Sequence, residues 1–208
     1  MRLLTLAWAD TGFCGSVFGS RTGLTPGGRG LIESCEDLGV VVDVSHASDA
    51  AFADVCALAA RPFIASHSNC RSLCPNPRNL TDQQIRILGE RGGVMGINLG
   101  SGFLSREFHE RTLGVRAEFF RSVEAGEKTF DEAGALASAA VAGVPRPPLS
   151  LVVEHVRWAV NVGGEDCVGL GGDLDGVDST PVGPRWRRRL SPYCRAPRQR
   201  WPQLLASR

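Results

Sequence analysis

The sequence predicts an α/β fold on parallel strands, most of a (β/α)8 barrel, and three observations carry that reading. Short apolar runs recur along the chain, and two of them end in Ser-His. Between consecutive runs lie segments with helical patterning, the order of βα units on a parallel sheet. The runs number about five, whereas a closed barrel has eight strands and about 250 residues. At 208 residues the chain is short for a whole barrel and of a size for one domain.

Taken in order, Arg2 to Trp8 (RLLTLAW) reads as the first strand. A stretch rich in Gly, Ser and Thr follows as a long loop. Thr25-Pro26 is a helix start, with Thr25 as N-cap and Pro26 at the first helical position. That helix runs to Leu38 and stops at Gly39, the residue type expected where a helix ends in left-handed backbone. Val40 to Val44 is the second strand and delivers Ser45-His46. A helix from about Ser48 to Ala60 leads to a third strand, Pro62 to Ala65, which delivers Ser66-His67. A loop over residues 68–79 holds two prolines and Arg78. Thr81 opens a helix that reaches about Arg91 before Gly92-Gly93 breaks it. Val94 to Leu99 is a buried strand containing Asn98. Residues 116–125 and 131–142 read as helices, Pro145 to Pro148 as a stiff connector, and Ser150 to Val162 as an amphipathic helix. Cys167 to Asp173 is the last strand. The sequence shows no internal repeat.

Composition narrows the setting. No apolar run approaches the roughly 20 residues of a membrane span, and the first residues make a poor signal peptide. Seven cysteines, odd in number and without Cys-x-x-Cys spacing, suit free thiols in a reducing compartment. A cytoplasmic location and no membrane partner are the expectation. From Pro184 onward the chain carries eight arginines and no acidic residue, while residues 1–183 carry 15 basic and 22 acidic side chains, a net charge of −7. The expected division is therefore a partial barrel over 1–183 and a disordered Arg/Pro-rich tail over 184–208.

His46 and His67 are the first candidates for chemistry. One lone histidine is more often a satisfied structural residue, but two, each closing its own strand after a serine, point to one end of a barrel. That end carries the active site in such folds. Imidazole is a common zinc ligand, yet a catalytic zinc needs at least three protein ligands. Asp173, in Gly-Leu-Gly-Gly-Asp, faces the same mouth and is a metal ligand or a proton shuttle, the bland alternative being a turn cap. Asp175 beside Gly176 fits the bland role. Arg78 has the fork to grip a carboxylate at two points, against the default of a solvated loop arginine. Asn98 orients substrate or satisfies backbone. His109, His155, Glu118 and Glu154 read as structural or solvated.

At these residues the chain resembles a known family. The stretches GLTPG (23–27), VVVDVSHAS (40–48), PFIASHSN (62–69), PRNLTD (77–82), GGVMGIN (92–98) and VGLGGDLDG (168–176) match, in order and spacing, the membrane (renal) dipeptidase family of zinc metallopeptidases. The resemblance runs from about residue 2 to 180. It implies a barrel of the amidohydrolase type and hydrolysis of dipeptides by a metal-activated water at a two-zinc centre. By the same resemblance His46 and His67 are ligands of one zinc, Asp173 holds the water or passes its proton, and Arg78 binds the dipeptide's terminal carboxylate. Trp8 stands where many members have a histidine that touches substrate.

The departures are a His-x-Asp pair and a bridging glutamate, which the resemblance implies on strands that would precede Met1. No His-x-Asp occurs in this sequence. The tail reads as translation in a shifted frame. The expectation is thus an incomplete dipeptidase with at most one zinc, and the second reading is a non-catalytic remnant that binds one metal weakly. A nucleic-acid-binding arm in the Arg-rich tail is the weakest reading, because the body is acidic. Exposed sheet edges are expected to drive homo-oligomerisation.

Overall fold

The computed structural model describes residues 2–8, 17–174 and 176–183. The Arg-rich tail, with the nucleic-acid-binding reading placed on it, and Asp175 lie outside them. Five strands alternate with helices. They are β1 (Leu3–Thr5), β2 (Val41–Asp43), β3 (Ala65–Ser68), β4 (Met95–Asn98) and β5 (Val168–Gly172). The helices are α1 (Pro26–Leu38), α2 (Asp49–Leu58), α3 (Asp82–Glu90), α4 (Ser101–Leu104), α5 (Arg106–Glu124), α6 (Phe130–Val141) and α7 (Ser150–Gly163).

All pairings between these strands are parallel, β1 with β2 and β3 with β4 with β5. The two groups are joined where Val44 N–H donates to Ile64 O at 2.8 Å and Ile64 N–H donates to Val42 O at 2.9 Å. Spatial order therefore follows chain order, which is the arrangement of a barrel wall. Among the described residues β1 and β5 are the two outer strands. The fold is the predicted α/β arrangement, a partial barrel of five strands.

The helix boundaries follow from the capping chemistry. Thr25 Oγ1 accepts the Gly28 N–H, Pro26 opens α1, and Gly39 ends it in the left-handed region at φ 65°. Ser48 caps α2. Thr81 and Gln84 cap each other's backbone at the start of α3, as Thr129 and Glu132 do at the start of α6. The outer layer buries Ile32 of α1, Phe52 and Val55 of α2, Ile85 and Leu88 of α3, and Ala159 of α7 against Val42, Ala65, Met95 and Ile97.

Two elements differ from the sequence reading. The third strand is shifted toward its C-terminal end, so His67 lies within β3 rather than after it. The apolar run signals only the part that packs under the helices. The polar continuation, Ser66-His67-Ser68, is held by ladder bonds and by a buried carboxylate, which periodicity does not register. Helix α5 starts ten residues before the expected Arg116, because Ser105 accepts the Phe108 N–H as its cap.

Candidate functional site

Four strand ends converge on one face. Strand β2 leads into Ser45, which is fully buried, and then His46. His46 has φ 72° and Asp173, just past β5, has φ 58°. These are the only non-glycine residues at positive φ among those described. Such backbone is costly for a residue with a Cβ and collects at functional sites.

The two predicted histidines meet. His46 Nε2 and His67 Nε2 stand 2.9 Å apart, with ring centroids 5.0 Å apart. Phe18 lies 6.0 Å from the His46 ring and Trp8 lies 6.4 Å from it, so aromatic edges wall one side. Trp8 itself is 55% exposed. Burial drives the His46 pKa down to about 3, with the Arg78 guanidinium and His67 adding to the effect. Burial and Arg78 also lower His67, against the pull of Asp173 and Asp43. Both rings are neutral at pH 7, the form that ligates a metal.

Behind them sits Asp43, which the sequence reading treated as part of a strand. It is 0% exposed. Its Oδ1 accepts N–H bonds from Ser45 at 3.0 Å and Ser66 at 2.9 Å, and its Oδ2 accepts hydroxyl bonds from Ser66 at 2.6 Å and Thr5 at 2.8 Å. Burial alone would raise this carboxyl, but the four donors outweigh it and hold the pKa below the usual value. Three strands are thereby tied to one carboxylate. An aspartate inside VVVDVSH was the available signal, since an acid in an apolar strand needs donors around it.

Arg78 is 4% exposed. It donates to Ser68 Oγ at 3.0 Å and to the His67 carbonyl at 2.8 Å, while its Nε is buried without a partner. Burial lowers its pKa to about 10. Its guanidinium carbon lies 5.9 Å from the Phe103 ring centroid, and that of Arg116 lies 5.1 Å from the same centroid. Arg116, on α5, was not singled out in the sequence. It interacts electrostatically with Asp178 and Asp173, so a second cation borders the mouth.

Asn98 lies between the backbone and Asp173. It is 1% exposed, its Nδ2 donates to Asp173 Oδ2 at 2.8 Å, and its Oδ1 accepts the Gly100 N–H at 2.7 Å. Of the two roles the sequence offered, orienting substrate or satisfying backbone, the bond to the Gly100 N–H is of the second kind, and the bond to Asp173 ties the amide to a second candidate residue. A Cβ at Gly176 would run into Asp173 Oδ1, so glycine there leaves room for the carboxylate.

The remaining histidines are structural. His155 is buried, accepts the Cys70 N–H at Nδ1 (3.0 Å) and donates from Nε2 to Leu104 O (3.0 Å). His109 pairs with Asn76.

Zinc, the metal implied by the resemblance, was tested against these residues. Two neutral imidazoles converge through Nε2, and His46 Nδ1 is a buried polar atom with no hydrogen-bond partner. This donor set fits part of a zinc shell. No group of three or more His, Cys, Asp or Glu able to hold a metal occurs among the described residues. No helix among them is long and apolar enough to cross a membrane.

Comparison with known proteins adds an independent line. The family model of the membrane dipeptidases (peptidase family M19) matches residues 1–185. An uncharacterised protein in the pqqA 5′ region of Klebsiella pneumoniae is 37% identical over 155 residues, 74% of this chain and 45% of the relative. Dipeptidase 3 of Mus musculus is 27% identical over 88% of this chain and 31% of its own length. A metallopeptidase from Rhodobacter sphaeroides, solved with a phosphinate mimic of the dipeptide L-Ala-D-Ala, superposes with a TM-score of 0.66 at 27% identity. That match covers 88% of this chain and 45% of the other. The chain thus spans less than half the length of these relatives.

Proposed function

The chain belongs to the membrane dipeptidase family, peptidase family M19, and on that premise we propose that its converging strand ends serve metal-dependent hydrolysis of dipeptides. The observation that carries the reading is the meeting of His46 and His67 through Nε2 at 2.9 Å, both rings neutral. These two residues would hold zinc. When bound there, zinc supplies Lewis acidity toward the scissile carbonyl and lowers the pKa of water.

The chain's own residues do the rest. Arg78 presents its guanidinium, already oriented by Ser68 and the His67 carbonyl, to the terminal carboxylate of a dipeptide. Asp173 takes a proton from the attacking water on its carboxylate and returns it to the departing amine. Asn98 fixes Asp173 through its Oδ2 and orients substrate beside it. The aromatic edges of Trp8 and Phe18 shield the imidazoles from bulk water. The domain reading proposed with this function is a catalytic-fold unit over 1–183.

The test is calorimetric titration of the zinc-supplemented chain with a phosphinate dipeptide mimic, the ligand class held by the Rhodobacter sphaeroides relative. Binding is expected for the free carboxylate, weakened when that carboxylate is amidated, and lost in Arg78→Met. Equal binding of acid and amide would overturn the role given to Arg78.

A second reading is a chain that binds metal and dipeptide without turning it over. Two imidazoles fill half of a tetrahedral shell, and the described residues gather no larger group. On this second reading, hydrolysis stays near background. Turnover of about 1 per second or more would overturn that second reading.

A further inference from the structure

The hydrogen bonds around Asp43 determine which ring nitrogen of each histidine carries its proton. Asp43 offers only acceptors, and four donors point at it. Ser66 has one hydroxyl proton, and at 2.6 Å from Asp43 Oδ2 that proton goes to the carboxylate. Ser66 Oγ also lies 2.7 Å from His67 Nδ1. With its proton committed, the hydroxyl accepts there, so His67 Nδ1 is the donor. Ser45 Oγ accepts the His67 backbone N–H at 3.1 Å and stands 3.3 Å from Ser66 Oγ, to which its own proton is free to go. Every proton in the cluster is then accounted for.

His67 with its proton on Nδ1 has a bare lone pair on Nε2, which faces His46 Nε2 at 2.9 Å. His46 must therefore donate from Nε2. Its Nδ1 is left bare, which agrees with that atom being buried without a partner. The two imidazoles are inequivalent. One is preset as a ligand and the other caps it.

We propose that Asp43, acting through Ser66, is a positioning device that locks His67 in the Nδ1–H tautomer, so that His67 is the pre-formed ligand and His46 must move its proton to Nδ1 when a metal enters. This rests on the reading of His46 and His67 as ligands. It goes beyond that reading by assigning an order: His67 is ready before the metal arrives, and His46 exchanges its hydrogen bond to His67 for the metal. Partners of this kind fix the tautomer and orientation of ligating histidines, and their loss typically lowers metal affinity about 10–100-fold.

The experiment uses the full chain labelled with 15N-histidine. Long-range 1H–15N correlation spectra of the metal-free protein report the tautomer of each ring. The expected result is Nδ1–H for His67 and Nε2–H for His46, with His46 alone changing tautomer on addition of zinc. In Ser66→Ala the His67 ring should populate both tautomers, and zinc affinity measured by calorimetry should fall about 10–100-fold. Asp43→Asn provides the second variant, and wild-type spectra stand by themselves should either variant fail to fold. Nε2–H on His67 in the metal-free wild type overturns the proposal, as does a Ser66→Ala protein with unchanged tautomer and affinity. A wild type with the expected tautomers but no zinc binding overturns the functional reading instead, so the two failures are distinguishable.

Discussion

Substitution of Gly96 by alanine probes the packing that brings the site together. Gly96 is in β4, every residue of which is buried. A Cβ at this position would run into the Ser66 carbonyl and come within 2.9 Å of the Gly171 Cα. A Cβ at Gly171 would meet the same carbonyl. The two glycines thus make the slot that holds the backbone of Ser66, the residue between Asp43 and His67. Both obstacles are backbone, so no side chain is free to swing away, and the strands must separate.

Overpacking of a core costs about 1–3 kcal/mol, and immovable neighbours place this case near 3. For a chain of this size about 2–4 °C of melting temperature follows each kcal/mol, so a fall of about 6–12 °C is expected. Gly114→Ala in α5 is the control, because no heavy atom lies within 4 Å of a Cβ there. It should stabilise by about 0.5–1 kcal/mol through helix propensity alone. Thermal melts followed by circular dichroism give both values. Gly96→Ala melting within about 2 °C of the wild type would refute the reasoning.

Two further outcomes are expected. His155 is held by burial at about 4 in the folded chain, below its ordinary value of 6.5. The unfolded state therefore binds more protons between those values, and the stability from neutral His155 is complete above about pH 6.5 and lost as pH falls toward 4. Urea midpoints should drop between pH 7.5 and 5, and less so in His155→Gln; equal midpoints at the two pH values would contradict this. Strands β1 and β5, the outer strands among the described residues, carry exposed Leu3 and Leu170, so the chain should self-associate through paired edges. A monodisperse 22.2 kDa monomer by light scattering would contradict that.

Much of the fold was legible because local signals and global arrangement agree. Thr25, Pro26 and Gly39 bound α1 in the sequence as they do in space. His46 and His67 were legible as a pair because each closes an apolar run after a serine, and a parallel sheet sends such ends to one face. Asp43 was not legible, since its meaning lies in hydroxyls from β1 and β3, far apart in sequence and joined only by strand register. Arg116 was hidden for a related reason. It lies in a long helix of mostly solvated residues and gains its place at the mouth from Phe103, Asp178 and Asp173, all distant in sequence. Asn98 was half legible. Its position at the end of β4 showed that it faces the mouth, but not that Asp173 would take its amide.

The most direct test of the central claim is a zinc titration of the purified chain by isothermal calorimetry, repeated with His46→Ala and His67→Ala. The account predicts one zinc equivalent, weak because two imidazoles supply only part of a four-ligand shell, and reduced by either substitution. Two tight equivalents, or one equivalent that neither substitution affects, would contradict it.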